Sequence, residues 1–421
     1  MKVMSWAAIS SQTRGKVYII GHTDLDGIAR AAAIERILMH QGSIAEAVIV
    51  YSRRIPSTMP NTLAEALRSW ISERVPPGSE VIFEDLPVDV RNPSVYIEAL
   101  AQFARDRKVI WTDHHETDAP YLKRMQDAGI QVLWFGPSAY EYTMALAQWL
   151  GGNPQEIEQY AILCGFGDRD PQVIKVLRAR GEDISRWQRI SDGMDVLIRE
   201  ISASSDPADY AVFVGRFATD PRTIINDAIA RADQIPEPRD VVALSSRVVL
   251  VRELLHEMWG PKSLERAALR HGAIYAVGVS RNPRDGTYQV RAITYWVALA
   301  ENPDAVEIGR LQAFQRFLQQ EARQVYGPPA APVIPGYTTF EAALSAAERL
   351  ARMVSESFYE PQITHLVNDR FVARAISQDF GRILQRLTEI LENQQKMYQE
   401  YLELKRRQVE LLERTQRHEY D

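Results

Sequence analysis

The feature that most constrains this chain is an alternation over roughly its first 165 residues. Short apolar runs rich in β-branched residues are separated by longer stretches whose apolar residues recur three or four apart. "VYII" from Val17, "AVIVY" from Ala47, "EVIFEDL" from Glu80, "KVIWTD" from Lys108 and "QVLWF" from Gln131 read as strands. "GIARAAAIERILMH", "TLAEALRSWISERV" and "SVYIEALAQFARD" read as helices whose apolar stripes cover a sheet. Two more helices come after them, around "YEYTMALAQWL" and "PQEIEQYAILCGFG". This alternation predicts an α/β domain built on a parallel sheet, over residues 1–170.

At 421 residues the chain holds more than one ordinary domain. Residues 171–265 read as a helical connector, broken at "IPEPRD" by Pro236 and Pro238. A smaller second α/β domain is expected over 266–357. There "AIYAVGVSRNPRDGTYQVRAITYWVA" gives two strands around a turn at Asp285–Gly286, and the Pro-rich "YGPPAAPVIPGY" interrupts the remainder of the domain. In the tail, 358–421, Ile383, Leu387, Ile390, Gln394, Met397, Tyr401, Leu404, Gln408 and Leu411 step alternately by four and three. That is a heptad seam with two polar interruptions, expected to form a coiled-coil-like helix. It would join copies of the chain into a homo-oligomer; docking of a protein partner, or packing as a single amphipathic helix, are the alternatives.

A formal net charge of −6 excludes a general polyanion binder, though not a local basic groove. The single cysteine, Cys164 in "AILCGF", excludes an intrachain disulfide framework and fits the reducing cytoplasm. It reads as a small buried residue and not as a nucleophile. No apolar run approaches the ~18 residues that span a bilayer, and "MKVMSWAAISSQTRGK" is a poor secretory signal. A cytoplasmic protein without membrane association is expected.

Chemistry gathers where the strands end. His22, Asp24 and Asp26, followed by Gly27, sit in the turn after the first strand. Asp85 ends the third strand, and Asp113, His114 and His115 end the fourth, while Asp168 and Asp170 come after a helix in "GFGDRD". Ordinary turn chemistry explains any one of these, since turns favour Asp and Gly. In a parallel sheet, however, the carboxyl ends of all strands share one edge, where open α/β sheets bind ligands. Oxygen and imidazole donors without thiolates suit Mn²⁺ or Mg²⁺ and not a structural zinc. Crowded carboxylates repel unless cations neutralise them, which points to two metals sharing a carboxylate. Two ions about 3.5–4 Å apart activate water for in-line displacement at phosphorus, so hydrolysis of a phosphate ester or anhydride is the natural reaction.

"HTDLDG", "EDLP", "TDHHET" and "GFGDRD", in that order over about the first 170 residues, resemble the motifs of the DHH phosphoesterase superfamily. That superfamily includes RecJ exonucleases, nanoRNases, cyclic dinucleotide phosphodiesterases and family II inorganic pyrophosphatases. The H-x-D-x-D-G spacing is closer to RecJ-like members than to the pyrophosphatases. The resemblance implies that His22, Asp24, Asp26, Asp85, His114 and Asp168 ligate two ions, Mn²⁺ with Mg²⁺ as the alternative. It implies a catalytic set of His115, facing the substrate phosphate, Asp113, orienting a histidine, and Asp168, for which Asp170 is the alternative. Arg169 is a phosphate clamp or an ion-pair partner. The second domain departs from the pattern. "YAVGVSRNPRDGTYQVRAIT" resembles the strand pair of the DHH-associated domain, but "YGPPAAPVIPG" stands where a Gly-rich GGGH segment belongs. Prolines lack the N–H groups of a phosphate cradle; Arg291 and His271 are the candidate substitutes. The resemblance implies a metal-dependent phosphodiesterase or nuclease acting on single-stranded or short oligonucleotides. The alternatives are a small-molecule phosphoesterase, for a cyclic dinucleotide, nucleotide or pyrophosphate, and a DHH-fold scaffold subunit of a nucleic-acid-processing assembly.

Overall fold

A computed structural model of the chain describes residues 16–49, 62–89, 92–204, 207–257, 259–283, 285–302 and 304–358. The chain divides into two compact units, 1–351 and 352–421. The heptad seam from Ile383 to Leu411, and with it the expected coiled coil, lies outside the described residues.

Five strands form the first sheet: β1 (Lys16–Gly21), β2 (Ile44–Ile49), β3 (Glu80–Glu84), β4 (Lys108–Asp113) and β5 (Gln131–Trp134). Their order is β2-β1-β3-β4-β5 and every pairing is parallel. β2 begins at Ile44, earlier than the run from Ala47 suggests. Parallel strands need crossover helices, which cover both faces. On one face Val17, Ile19, Ile82, Ile110 and Leu133 pack with α1 (Leu25–His40) and two further helices, Ala139–Trp149 and Pro154–Gly167. On the other, Tyr18, Ile20, Val81, Phe83, Val109 and Trp111 pack under the helical run 63–74, which includes a π-helical turn at Leu67–Ile71, and under Pro93–Phe103. Alternation along β1, with Ile19 to one layer and Tyr18 and Ile20 to the other, is the period-two signature of a strand covered on both sides.

Helices Pro171–Ala179, Ile184–Ser204, Pro207–Thr219 and Pro221–Ala232 come next, each opening on or next to a proline or acid that suits a helix start. The connector expected over 171–265 is shorter than that. Two strands, β6 (Val241–Ala243) and β7 (Val248–Leu255), already belong to the second sheet. That sheet continues with β8 (Tyr275–Arg281), β9 (Tyr288–Thr294) and β10 (Val333–Tyr337), in the order β10-β9-β8-β7-β6. "VVLVRELL" is buried at Val248, Val249, Leu250 and Val251 in succession, so it lacks the alternation that marks a one-sided strand. β7 and β8 are parallel around the helix Gly260–His271, and the β8–β9 hairpin turns at Gly286, whose φ is 72°. No described helix is long and apolar enough to cross a membrane. Cys164 is buried, and burial pushes its thiol up to about 12, which removes it as a nucleophile.

Glu35 on α1 packs towards the helix Pro207–Thr219. It faces Gly215, where an added Cβ would stand 3.3 Å from Glu35 Oε1, and Glu35 Oε2 is buried without a hydrogen bond. Burial pushes its carboxyl up from 4.5 to about 7. The native state therefore binds this proton more tightly than the unfolded chain, and stability is lost as pH rises across that interval. Glu35→Gln should raise the melting temperature relative to wild type more at about pH 8 than at about pH 4.5. A difference that does not change with pH would show that the Glu35 carboxyl keeps its ordinary value in the folded protein.

Candidate metal centre

β1, β3 and β4 are neighbours in the sheet, so their carboxyl ends open side by side. After β1 the chain turns through His22 to Asp24, which caps α1 by accepting from Gly27 N at 3.4 Å. Asp24 Oδ2 also lies 2.5 Å from His22 Nδ1. A Cβ at Gly27 would fall 2.6 Å from the His22 carbonyl oxygen, so the glycine lets α1 start hard against that turn. Asp26, in the first turn of α1, is buried. After β3, Asp85 takes a left-handed backbone conformation, φ 56°, which few non-glycine residues adopt and which re-aims its carboxylate. After β4 come Asp113, His114 and His115.

Potential ligand atoms converge in three overlapping groups: His22, Asp24 and Asp85; Asp26, His114 and Asp168; and Asp85, Asp113, His114 and His115. Within each group they lie within 4.8 Å of one another. His114 Nε2 is 3.3 Å from Asp85 Oδ1 and 3.9 Å from Asp26 Oδ2. His114 Nδ1 lies 3.2 Å from the carbonyl oxygen of Pro137, which can only accept, so Nδ1 carries the proton and Nε2 presents its lone pair. The buried Asp85 Oδ1 is faced by the Arg30 guanidinium at 3.1 Å, and Asp113 Oδ2 and His114 Nε2 are buried without a hydrogen bond. Such atoms are costly unless something coordinates them. The donor set therefore fits a hard divalent cation.

Asp113 is a holder. Its Oδ1 accepts from His114 N at 2.5 Å, His115 N at 3.0 Å and His115 Nδ1 at 2.6 Å. Burial alone would lower the His115 imidazole, but the hydrogen bond and charge of Asp113 outweigh it and raise it to about 9. For Asp85, burial pushes upward, but Arg30 and His114 together hold the carboxyl well below its ordinary range. Burial, then repulsion from Asp24 and Asp85, pushes Asp26 well up.

The groups include Asp168 and not Asp170. Asp170 instead accepts from Ser138 Oγ, Tyr140 N and Gln172 N, the last as the cap of the helix that begins at Pro171. Arg169, with φ 57°, pairs through NH2 with Glu265 Oε1 at 2.8 Å. Arg291 donates from Nε to Ser280 Oγ at 2.6 Å in the second sheet, and His271 is exposed at the end of its helix. Neither belongs to the three groups among the described residues.

Sequence reasoning passed over Arg30. This side chain is fully buried, with NH1 3.1 Å from Asp85 Oδ1 and 3.3 Å from Glu84 Oε2, and NH2 3.9 Å from Asp26 Oδ2. Its guanidinium lies over the Tyr142 ring, which also stacks with the His114 imidazole at 5.6 Å. Glu84 reaches it because Gly21 leaves room: a Cβ there would sit 1.8 Å from Glu84 Oε1. The available signal was a lone arginine four residues after Asp26 in the alanine-rich "IARAAAI". Asp118, also passed over, is buried, accepts from Val88 N at 2.9 Å, and is pushed up to about 7 by burial and by Asp113.

Residues 16–164 match the sequence profile described as "DHH family, N-terminal domain". No curated protein sequence matches the chain. Solved structures that resemble it weakly include three from different organisms. CDC45 from Entamoeba histolytica is 8% identical, with 81% of this chain and 96% of that chain covered and a TM-score of 0.37. RecJ in complex with Mn²⁺ from Thermus thermophilus is 14% identical at a TM-score of 0.38; 83% of this chain and 54% of that chain are covered. The pGpG-specific phosphodiesterase PggH from Vibrio cholerae is 11% identical at a TM-score of 0.44, covering 81% and 99% respectively.

The approach of the Asp168 loop to α1 gives a test of the ligand set. A Cβ at Gly167 would stand 2.8 Å from Asp26 N and 3.1 Å from Asp26 Cβ, both on a rigid helix. Gly167→Ala should fold, yet bind Mn²⁺ about tenfold more weakly by calorimetric titration, the scale on which displaced support of a ligand is felt. Unchanged affinity would remove Asp26 from the ligands.

Proposed function

We propose that the chain, whose residues 16–164 match the profile of the DHH family N-terminal domain, is a divalent-metal-dependent phosphoesterase that hydrolyses phosphodiester bonds in single-stranded or short oligonucleotides. One observation carries this reading: His114 Nε2, buried and without a hydrogen bond, stands 3.3 Å from the buried Asp85 Oδ1 at the adjacent strand end. His22, Asp24, Asp26, Asp85, His114 and Asp168 would hold the metal. Bound Mn²⁺, or Mg²⁺ as the alternative, supplies Lewis-acid polarisation of the phosphate and acidifies the attacking water.

The chain's own groups do the rest. With Nδ1 tied to Asp113, His115 has Nε2 left to face the substrate phosphate. A donor beside the scissile group stabilises charge on a non-bridging phosphate oxygen as it grows in the transition state. Asp113 keeps that ring in one orientation, so the donor is in place before the substrate arrives.

A second reading, hydrolysis of a small phosphoester such as a cyclic dinucleotide, nucleotide or pyrophosphate, draws on Arg169 and Arg291. Both already have a protein partner, Glu265 for Arg169 and Ser280 for Arg291. Assaying bis-p-nitrophenyl phosphate, short oligomers and long strands side by side separates the two. Asp85→Ala and His114→Ala should each lower Mn²⁺-stimulated turnover by at least ~10²-fold, the usual scale for losing a preorganised catalytic interaction. Full turnover after chelation would contradict the metal-dependent reading, and no turnover of any substrate would leave a scaffold role.

For the tail, we propose self-association through the seam from Ile383 to Leu411. Ending the chain near Asp379 should lower the mass in solution and spare hydrolysis; an unchanged mass would refute it.

A further inference from the structure

We infer that Glu265, on the helix Gly260–His271, is a positioning residue for substrate binding: it anchors the Arg169 guanidinium so that the open face of that group meets a phosphate of the substrate. The inference rests on the phosphoesterase reading of the strand-end site and adds to it a contribution from the second sheet.

Arg169 follows Asp168, which is grouped with Asp26 and His114, so its backbone stands at the edge of the metal centre. The chain turns there through a left-handed φ of 57°, and Arg169 NH2 donates to Glu265 Oε1 at 2.8 Å. That bond takes one N–H of the five a guanidinium carries. Among the described residues Nε and NH1 have no hydrogen-bond partner, and the side chain is 37% exposed. Arg30 is the contrast: fully buried, it spends its donors on Thr143, Glu84 and Asp85. A planar fork with donors to spare suits a phosphate.

Glu265 is placed to hold that fork still. Its side chain is buried, so water competes little for the carboxylate. Its helix packs Leu264 and Ala268 into one core with Val249 and Ala276 of the second sheet. Glu265 Oε2 faces Lys262 Nζ at 3.7 Å, and Lys262 is held in turn by Asp192 at 3.2 Å and Asp195 at 2.9 Å, both on the helix Ile184–Ser204. Glu265 thus faces two cations, and Arg169 keeps attraction for an anion. A free arginine gives up rotamer freedom when it grips a phosphate; a tethered one gives up less.

The test is steady-state hydrolysis by the full chain with Mn²⁺, on bis-p-nitrophenyl phosphate and on a short oligomer. Glu265→Ala leaves Lys262 its two aspartates, so no buried charge is stranded. It should raise KM about tenfold, the scale of one charge-assisted hydrogen bond, with kcat little changed. Mn²⁺ affinity by calorimetric titration should stay as in wild type. Glu265→Gln keeps an oxygen to accept from Arg169 and should recover most of the loss. Arg169→Ala should raise KM at least as much, and in the double variant the two effects should not add. Additive effects would overturn the inference, and so would a weakened Mn²⁺ affinity in Glu265→Ala, which would make Glu265 a brace for the Asp168 loop. If Glu265→Ala does not fold, Arg169→Ala decides alone, and an unchanged KM there would overturn the inference. A wild type that turns over neither substrate would overturn the phosphoesterase reading itself, and this inference with it.

Discussion

The buried contact of Arg30 with Asp26, Glu84 and Asp85 is the interaction on which the strand-end site depends. Three carboxylates inside a domain would repel one another and draw protons, and each would carry a desolvation cost. One guanidinium at 3.1 to 3.9 Å from all three changes that balance. Burial alone would lower the arginine, but the surrounding acids, Asp85 first, raise it well above its ordinary value. Breaking such a cluster by removing one partner typically costs about 3–5 kcal/mol, because it strands an uncompensated charge. The cluster also joins elements far apart in sequence: the start of α1, the end of β3, and, through Thr143 and Tyr142, the helix Ala139–Trp149.

Around that cluster the backbone is bent to the needs of the site. Among the described residues, positive φ outside glycine occurs at Asp85, Arg169 and Ala322, and the first two lie in the strand-end motifs. Strain of this kind persists where surrounding contacts over-determine it, as the ion pairs of Asp85 and Arg169 do here. Gly21, Gly27 and Gly167 act in the opposite sense. Each leaves space that a Cβ would fill, for Glu84, for the His22 carbonyl and for Asp26 respectively. The glycines of "GHTDLDG" and "GFGD" are therefore packing residues as much as turn residues.

Much of this was legible in the sequence, because parallel strands place their ends together. Once β1, β3 and β4 were recognised, His22, Asp24, Asp26, Asp85 and His114 had to approach one edge, whereas Asp168, which follows a helix, came only from the motif resemblance; the six fall in three overlapping groups of potential ligands. The sequence already favoured Asp168 over Asp170, and the coordinates add that Asp170 is occupied by Ser138, Tyr140 and Gln172. Arg30 was hidden because a charged residue in a helical stripe is ordinarily at its solvated margin, and burial is a tertiary fact. The partners of Arg169 and Arg291 were hidden for the same reason. β7 was absorbed into the connector because a central strand buried on both faces shows no period.

The assignment of a metal centre stands or falls on whether the strand ends hold a divalent ion. Anomalous diffraction from crystals of the full chain grown with Mn²⁺, recorded at the manganese edge, addresses that directly. A peak within coordination distance of Asp85 and an imidazole from the strand-end motifs is the predicted result. A map whose only manganese lies on surface carboxylates, with none at Asp85, would contradict it.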